Sequence, residues 1–356
     1  MRVLITGICG FAGSTIAKRW IETVPGLTVY GIDSFIRQGS ELNREGLVKL
    51  GVKIFHGDIR SQSDMDALPP VDWVIDAAAN PSVLAGVDGQ MSSRELLEHN
   101  LFGTVNILEY CKRHNAGFIL LSTSRVYSIT ALSGINVETT GDAFLLDTSQ
   151  PMPQGLSASG VSESFITSPP LSLYGSAKLA SETLALEYGD AFGFPVWINR
   201  CGVLAGAGQF GRADQGIFAY WINAYIRRYP LTYIGFGGKG HQVRDCLHAG
   251  DLVPLLVKQT APGASAPTRT VNLGGGTTNA ISLAGLSAWC AERFGPHTVA
   301  AKAETRRFDI PWMVMDSALA GSVWGWQPET PLPAILEEIA LHAEAHPDWL
   351  EISGAR

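Results

Sequence analysis

A glycine-rich stretch, TGICGFAG (6–13), lies between the apolar run RVLIT (2–6) and the amphipathic segment GSTIAKRWIETV (13–24). Within it, Gly7, Gly10 and Gly13 recur at a spacing of three residues. Glycine permits a tight turn and lets backbone N–H groups approach a pyrophosphate at a helix N-terminus. A strand, a glycine turn and a helix in this order therefore predict a dinucleotide-binding βαβ unit at the start of the chain.

An acidic residue follows where such a unit contacts the ribose. Asp33 ends the second apolar run, TVYGID (28–33), twenty residues after Gly13. Its carboxylate can accept hydrogen bonds from both ribose hydroxyls of NAD and would repel a 2′-phosphate. Arg37 leaves NADP open, because an arginine can accommodate that phosphate. The simpler interpretation of the glycines is a tight turn with a helix cap, and the position of Asp33 favours the dinucleotide.

Short apolar runs alternate with helical segments through the first 200 residues. Because these runs are almost continuously apolar, we expect strands buried on both faces of a parallel sheet. The predicted strands are RVLIT (2–6), TVYGID (28–33), VKIFHGD (52–58), WVIDAAA (73–79), FILLST (118–123), PVWINR (195–200) and TVNLGGG (270–276).

The predicted fold is α/β, with a Rossmann-type doubly wound parallel sheet and a smaller, mixed C-terminal substrate-binding domain. We assign residues 1–200 plus about 246–276 to the first domain, and about 201–245 plus 277–356 to the second. The segment 129–170 is rich in Ser, Thr, Gly and Pro, so we expect it to be a long loop.

Composition excludes several other classes of protein. Hydrophobic residues make up 46% and charged residues 17%, which is typical of a packed globular chain. A net charge of -7 without blocks of like charge argues against nucleic acid or an anionic membrane as the partner. Five scattered cysteines without a CxxC pair predict neither a metal site nor a disulfide framework. With no long apolar run, we expect a cytoplasmic protein.

Two short motifs carry groups that can perform chemistry. The stretch STSRVYS (122–128) ends a predicted strand in three hydroxyls, and YGSAK places Tyr174 and Lys178 on one face of a helix. A lysine ammonium, together with a cationic nicotinamide ring, stabilises a phenolate and lowers the tyrosine pKa from about 10 toward neutrality. Tyr174 could then act as a general base toward a sugar hydroxyl, while Lys178 could also bind the nicotinamide ribose.

These motifs together resemble the extended short-chain dehydrogenase/reductase family, the group that contains nucleotide-sugar epimerases and dehydratases. The resemblance implies an NAD-dependent enzyme acting on a nucleotide-diphosphate sugar. In this family the hydroxyl four residues before the tyrosine of the VY pair is catalytic, which implies Thr123 beside Tyr174 and Lys178; Ser122 or Ser124 is the alternative. The matching stretches are TGICGFAG, Asp33, GDI (57–59), AAA (77–79), NLFGTVNILE (100–109), STSRVY, YGSAK and QVRDCLHAGDL (242–252).

The family's 4,6-dehydratases carry an acid pair after the threonine, whereas this chain has Ser124 and Arg125. Arginine cannot usefully deprotonate, so a dehydratase of the usual kind is disfavoured. DSFIRQG (33–39), GQFGRADQG (208–216) and HQVRDCLH (241–248) resemble the CDP-paratose (CDP-tyvelose) 2-epimerases. That resemblance implies inversion of carbon 2 of a CDP-deoxyhexose through a transient keto sugar, with tightly bound NAD regenerated in each turnover.

Two other functions stay open: a UDP- or other nucleotide-sugar 4-epimerase (or dehydratase) of the same family, and a non-catalytic NAD-binding protein. The family also implies a homo-oligomer, a dimer or tetramer, built through NLFGTVNILEYCKRH and SAKLASETLALEYGD.

The resemblance and the strand ends together define the candidate binding residues. Those for the cofactor are Gly7, Gly10, Phe11, Ala12, Gly13, Asp33, Ser34, Arg37, Asp58, Ile59, Ala77, Ala78, Ala79, Asn100, Ser122, Tyr174, Lys178 and Cys201. Those for the nucleotide sugar are Ser124, Arg125, Gln209, Phe210, Gln215, Arg244, Arg306 and Asp309.

Overall fold

The computed structural model of the chain describes residues 1–304 and 308–355. Its strands are β1 (Arg2–Thr6), β2 (Thr28–Asp33), β3 (Lys53–His56), β4 (Trp73–Asp76), β5 (Gly117–Thr123), β6 (Val137–Thr140), β7 (Ala143–Leu146), β8 (Leu156–Ser157), β9 (Gly160–Val161), β10 (Val196–Cys201), β11 (Val203–Ala205), β12 (Leu231–Ile234), β13 (Val243–His248), β14 (Thr270–Leu273), β15 (Ala280–Ser282), β16 (Val299–Lys302) and β17 (Trp312–Met313).

Helices connect most of these strands. A π-helical turn, Glu98–Phe102, directly precedes the helix that begins at Gly103. The α-helices are α1 (Phe11–Thr23), α2 (Leu42–Lys49), α3 (Gln62–Asp66), α4 (Ser93–Leu97), α5 (Gly103–His114), α6 (Ile129–Ser133), α7 (Leu173–Phe192), α8 (Ile217–Ile226), α9 (Val253–Gln259), α10 (Leu283–Phe294), α11 (Ala318–Trp324), α12 (Leu332–Ala345) and α13 (Trp349–Ile352).

The central sheet has seven strands in the order β3-β2-β1-β4-β5-β10-β14, and every neighbouring pair is parallel. Each strand predicted from the sequence is present in it. Since all the strands point the same way, their carboxyl ends meet at one edge, where ligands bind in open α/β sheets. The predicted α/β fold class is therefore confirmed.

Helices cover both faces of this sheet, because alternate residues of the strands point to opposite sides. On one face, Ile5 and Ile75 pack with Trp20 of α1 and with residues of α9. On the other face, Leu4 and Phe118 pack with residues of α5 and α7. The near-continuous apolar runs of the sequence are thus shared between two separate cores.

A smaller layer lies over the carboxyl edge. In it, β13 pairs in parallel with β11 and β17 and antiparallel with β15. Helices α8, α10 and α12 form its own apolar core. After β13 the chain returns to the central sheet through α9 and β14. The division of the chain into two domains at the numbers given above stays a prediction.

The segment 129–170 is not the loop that its composition predicts. It contains α6 and two antiparallel hairpins, β6–β7 and β8–β9. Its sparse apolar residues, among them Leu132, Val161 and Phe165, form a core cluster with the Ile310–Met315 stretch. Their burial depends on a partner far along the chain, so the local sequence does not reveal it.

No α-helix within 1–304 and 308–355 combines the length and hydropathy needed to cross a bilayer. The five cysteines are free and buried.

Asp245 of β13 predicts a measurable pH dependence of stability. It is fully buried where the two layers meet, and burial raises its pKa to about 6, although backbone hydrogen bonds from Met315 and Gly276 oppose the shift. A carboxyl whose folded pKa is raised stabilises the fold below its unfolded pKa near 4, and this stabilisation is lost as pH rises through 6.

We expect wild type to lose about 3 kcal/mol of unfolding free energy relative to Asp245→Asn between pH 4 and pH 7. Urea unfolding of both proteins across this range measures the difference. Parallel stability curves would show that the Asp245 carboxyl does not titrate in this way.

Candidate active site

One cavity of about 880 Å³ runs along the carboxyl edge of the central sheet. Residues that follow six of its parallel strands line this cavity, and the smaller layer supplies the opposite wall. All the predicted cofactor and substrate residues that the structure describes lie on its wall, apart from Asn100. Arg306 lies outside the described residues.

The glycine turn between β1 and α1 forms one end of the cavity. Gly7 has φ +60°, in the left-handed region that favours glycine. A Cβ on Gly13 would lie 2.4 Å from the Gly7 carbonyl oxygen, so this close approach also requires glycine. Helix α1 has no side-chain cap at its N-terminus. Its first N–H groups therefore remain available to an anion, as a dinucleotide pyrophosphate requires.

Asp33 lies beside this turn at the end of β2. Its two carboxylate oxygens accept hydrogen bonds from Cys9 N and Phe35 N, each at 2.8 Å. Burial raises the pKa of Asp33, and these backbone hydrogen bonds act against the rise. A carboxylate oxygen can accept more than one hydrogen bond, so Asp33 keeps acceptor capacity for ribose hydroxyls.

The stretch Ala77–Ala79 is shaped by buried polar groups around β4. Thr6 Oγ1 accepts hydrogen bonds from Ala77 N (3.1 Å) and Ala78 N (3.0 Å) and donates one to Asp76 (2.8 Å). Asn100 supports the next residue from behind, because its side chain bonds the backbone N–H and C=O of Asn80, both at 2.8 Å. Asn100 thus shapes the wall without lining it.

Beyond β3, the Asp58 carboxylate pairs with Arg60 at 2.6 Å, and Ile59 follows it on the wall.

Thr123 and Tyr174 meet in the middle of the cavity. Thr123 ends β5, and Tyr174 lies in the first turn of α7, where Ser172 caps the helix by accepting a 3.0 Å hydrogen bond from Gly175 N. A Cβ at Gly175 would lie 2.2 Å from the Arg125 carbonyl oxygen. Glycine at this position therefore lets α7 approach the 123–125 turn closely enough for the Thr123 hydroxyl to hydrogen-bond Tyr174.

Burial raises the pKa of Tyr174 to about 12, while the Thr123 hydrogen bond and the Arg125 charge lower it. Burial dominates in the protein without a cofactor, and the decrease toward neutrality expected from Lys178 together with a nicotinamide ring stays a prediction. Within the protein, Thr123 and Arg125 are the groups that favour the phenolate.

Lys178 lies one helical turn further along α7 and is 2% exposed. Burial lowers its pKa, and the negative charges of Asp76 and Glu182 oppose this shift. Cys201, at the end of β10, is close enough for the Lys178 charge to lower its pKa, which burial raises to about 12. A buried ammonium at this place on the cavity wall can donate hydrogen bonds to a ribose.

A buried polar network that the sequence did not predict lies behind these residues. Glu182 binds Arg200 through hydrogen bonds of 2.7–3.1 Å, and both side chains are nearly inaccessible. Ser122 Oγ donates to Glu182 at 2.5 Å, so its hydroxyl faces this network. Arg200 also donates to Tyr127 (3.3 Å), which in turn donates to Asn272 (2.6 Å). A signal existed, since Glu182 follows Tyr174 and Lys178 at helical spacing.

The candidate substrate residues form the far wall. Arg244 pairs with Asp309 at 3.2 Å. Arg125 extends toward the same stretch and donates to the Phe308 carbonyl at 3.5 Å. Ser124 is buried at the turn. These contacts bring positive charge and hydrogen-bonding groups to the cavity wall, where an acidic protein needs them for an anionic ligand.

The segment 209–216 completes the wall. Gln209 donates to the Leu204 carbonyl at 2.7 Å, and Phe210 stacks on Trp349 with ring centroids 5.2 Å apart. Arg37 of the predicted cofactor set contacts this segment, donating to the Phe210 carbonyl and, at 3.3 Å, to Gln215 Oε1. Its Nη groups are thus engaged by the protein.

The chain is similar to known proteins in both sequence and fold. The family model described as "NAD dependent epimerase/dehydratase family" matches residues 3–274. The CDP-paratose 2-epimerase of Salmonella typhi is 29% identical over 294 residues, 80% of this chain and 81% of that protein. An uncharacterized UDP-glucose epimerase, YtcB, of Bacillus subtilis (strain 168) is 28% identical over 285 residues, 77% of each chain.

Among solved structures, the fold is similar to that of the UDP-glucose 4-epimerase from Bifidobacterium longum in complex with NAD+ and UDP. The TM-score is 0.79 at 21% identity, covering 98% of this chain and 100% of that one.

The buried ion pair predicts a large stability effect with a matched control. Glu182→Gln leaves the Arg200 guanidinium buried without its counter-charge, which costs about 3–5 kcal/mol of unfolding free energy. Glu187→Gln, on the exposed side of the same helix, should change it by less than about 0.5 kcal/mol. Urea unfolding compares the two variants, and equal small effects would refute the structural role of the pair.

Proposed function

Because the chain belongs to the NAD dependent epimerase/dehydratase family, we propose that it inverts one carbon of a nucleotide-diphosphate sugar. We propose further that the sugar is a CDP-deoxyhexose inverted at carbon 2, CDP-paratose becoming CDP-tyvelose. The observation that carries the proposal is the meeting of Thr123, Tyr174 and Lys178 at one cavity. Ser124 and Arg125, where the related dehydratases carry acids, favour epimerisation over elimination.

The residues at the glycine end fit NAD. The turn has no side chains to obstruct a pyrophosphate, the start of α1 offers uncapped N–H groups, and Asp33 keeps acceptor capacity for the ribose. Lys178, with its ammonium buried at the cavity wall, is suited to the second ribose. When bound, NAD supplies a reversible hydride acceptor for the sugar carbon.

Tyr174 is the proposed acid–base group. Its phenolate accepts the proton of the sugar hydroxyl as that carbon is oxidised, and the phenol returns it when the carbon is reduced from the opposite face. Thr123, hydrogen-bonded to Tyr174, would orient the same sugar oxygen. The two faces of the keto sugar must be presented in turn, which requires the sugar to rotate while its nucleotide stays anchored.

Arg244 and Asp309 are the proposed anchor for that nucleotide, with Gln209, Phe210 and Gln215 beside it. Arg244 is a permanent cation on the cavity wall, held in place by Asp309, and its charge is suited to a pyrophosphate. We include Arg306 among the residues proposed to bind the nucleotide, on the basis of its sequence position alone.

The second candidate is a UDP-sugar 4-epimerase. The proposed acid–base groups would be unchanged in such an enzyme. The sequence identity to YtcB is 28%, and that to the CDP-paratose 2-epimerase is 29%. The base and the inverted carbon therefore separate the two candidates. We also propose a cytoplasmic homo-oligomer; Phe102, 57% exposed beside α5, is the apolar group that such an interface would cover.

Incubation with CDP-paratose, followed by NMR of the sugar, is expected to show CDP-tyvelose. A thermal-shift panel should give a larger stabilisation with CDP than with UDP. No tyvelose together with a larger shift for UDP would reject the CDP-sugar assignment in favour of the 4-epimerase.

The Tyr174→Phe variant should still bind nucleotide and NADH but lose turnover by at least about 100-fold, because only the proton-transfer group is removed. Tyr188→Phe, which removes a hydroxyl from the same helix away from the cavity, is the control and should retain turnover. Steady-state rates and nucleotide titrations separate binding from chemistry. Turnover retained by Tyr174→Phe would rule out its role as the base.

A further inference from the structure

The segment Gln209–Gly216, here called the strap, is a compact turn on the cavity wall. Gly211 N donates to Gln209 O at 2.9 Å, while Arg212 and Gln215 exchange two backbone hydrogen bonds of 2.6 and 3.1 Å. These internal hydrogen bonds hold the strap together as one unit. The position of the strap on the cavity wall therefore depends on its contacts with the rest of the protein.

One contact is with the loop that follows β2. Arg37, four residues after Asp33, donates to the Phe210 carbonyl and to Gln215 Oε1, the latter at 3.3 Å. Burial lowers the pKa of Arg37 to about 10, and the charge of Arg212 acts in the same direction. The guanidinium is thus largely withdrawn from water, where its hydrogen bonds to the strap are stronger than at an exposed surface.

The other contact is with the loop that follows β4. Ser82 Oγ, nearly inaccessible to solvent, donates to Asp214 Oδ2 at 2.6 Å. In the central sheet β1 lies between β2 and β4. A segment attached to the loops after both neighbours must pass the carboxyl end of β1, where the glycine turn lies.

The stretch Trp349–Ala355 supports the strap from its other side. Trp349 Nε1 donates to the Gln209 carbonyl at 2.9 Å, and its ring stacks on Phe210. Arg212 Nε donates to the Ser353 carbonyl at 3.0 Å. Because Gly354 and Ala355 also line the cavity, this stretch closes the same end.

We propose that the strap, fastened by Arg37 and Ser82, crosses the glycine-turn end of the cavity and retains the dinucleotide between turnovers. The inference rests on the proposed function, because an epimerase restores its cofactor to the starting oxidation state in every cycle. Such a cofactor need not leave, so closure does not slow turnover, whereas an enzyme releasing reduced cofactor would need this end open.

The test measures release of NADH without any sugar substrate. Protein loaded with NADH is mixed with a large excess of NAD⁺, and the decay of bound-NADH fluorescence gives the dissociation rate. Arg37→Met and Ser82→Ala should each accelerate release by about tenfold, since each removes a partly buried hydrogen bond of the strap. The double variant should be faster still.

Two controls match these changes. Lys49→Met removes one positive charge from the exposed surface of α2, and Ser63→Ala removes one exposed hydroxyl; both should release NADH at the wild-type rate. If Arg37→Met does not fold, the NADH dissociation rate of Ser82→Ala still tests the other contact of the strap, between Ser82 and Asp214.

Release of NADH at the wild-type rate from both Arg37→Met and Ser82→Ala would overturn the proposal that the strap retains the dinucleotide. The proposed function would be unaffected by that result. A wild-type protein that does not bind NADH would instead overturn the proposed function itself.

Discussion

The position of α7 over the central sheet depends on the buried ion pair between Glu182 and Arg200. A buried pair of this kind adds little net stability, but it tolerates one geometry only, because separating the charges in an apolar interior is costly. The pair joins α7 to β10, and Ser122 extends it to the end of β5. Thr123 is the next residue of that strand, so the same interaction that fixes the helix fixes the Thr123 hydroxyl relative to Tyr174.

In the site next to this ion pair, burial and polar contacts have opposite effects on the pKa of Tyr174. A phenol that must lose and regain a proton is placed where burial opposes its ionisation. Thr123 and Arg125 partly offset that effect, and a cationic group beside the ring is needed for the rest. Closure by the strap serves the same end, since excluding water strengthens every electrostatic interaction within the cavity.

The sequence reveals those parts of the protein whose signals are local. Apolar runs identify the strands of the central sheet, and Gly7, Gly13 and Asp33 identify the cofactor end because steric and charge requirements act on neighbouring residues. Tyr174 and Lys178 are visible through helical spacing. The hairpins within 129–170 are not, because their apolar residues are buried against the stretch 310–315, far along the chain. The contact of Arg37 with the Phe210 carbonyl is not visible in the sequence for a similar reason, since the two residues lie 173 positions apart.

In the proposed reaction, the sugar carbon is inverted by removal and return of the same hydride. A nucleotide sugar carrying deuterium on the inverted carbon, incubated with the enzyme in ordinary water, tests this directly by NMR or mass spectrometry of the product. The account predicts that deuterium stays on that carbon after inversion. Replacement of the deuterium by solvent hydrogen would contradict it, because that outcome requires removal of the carbon-bound hydrogen as a proton.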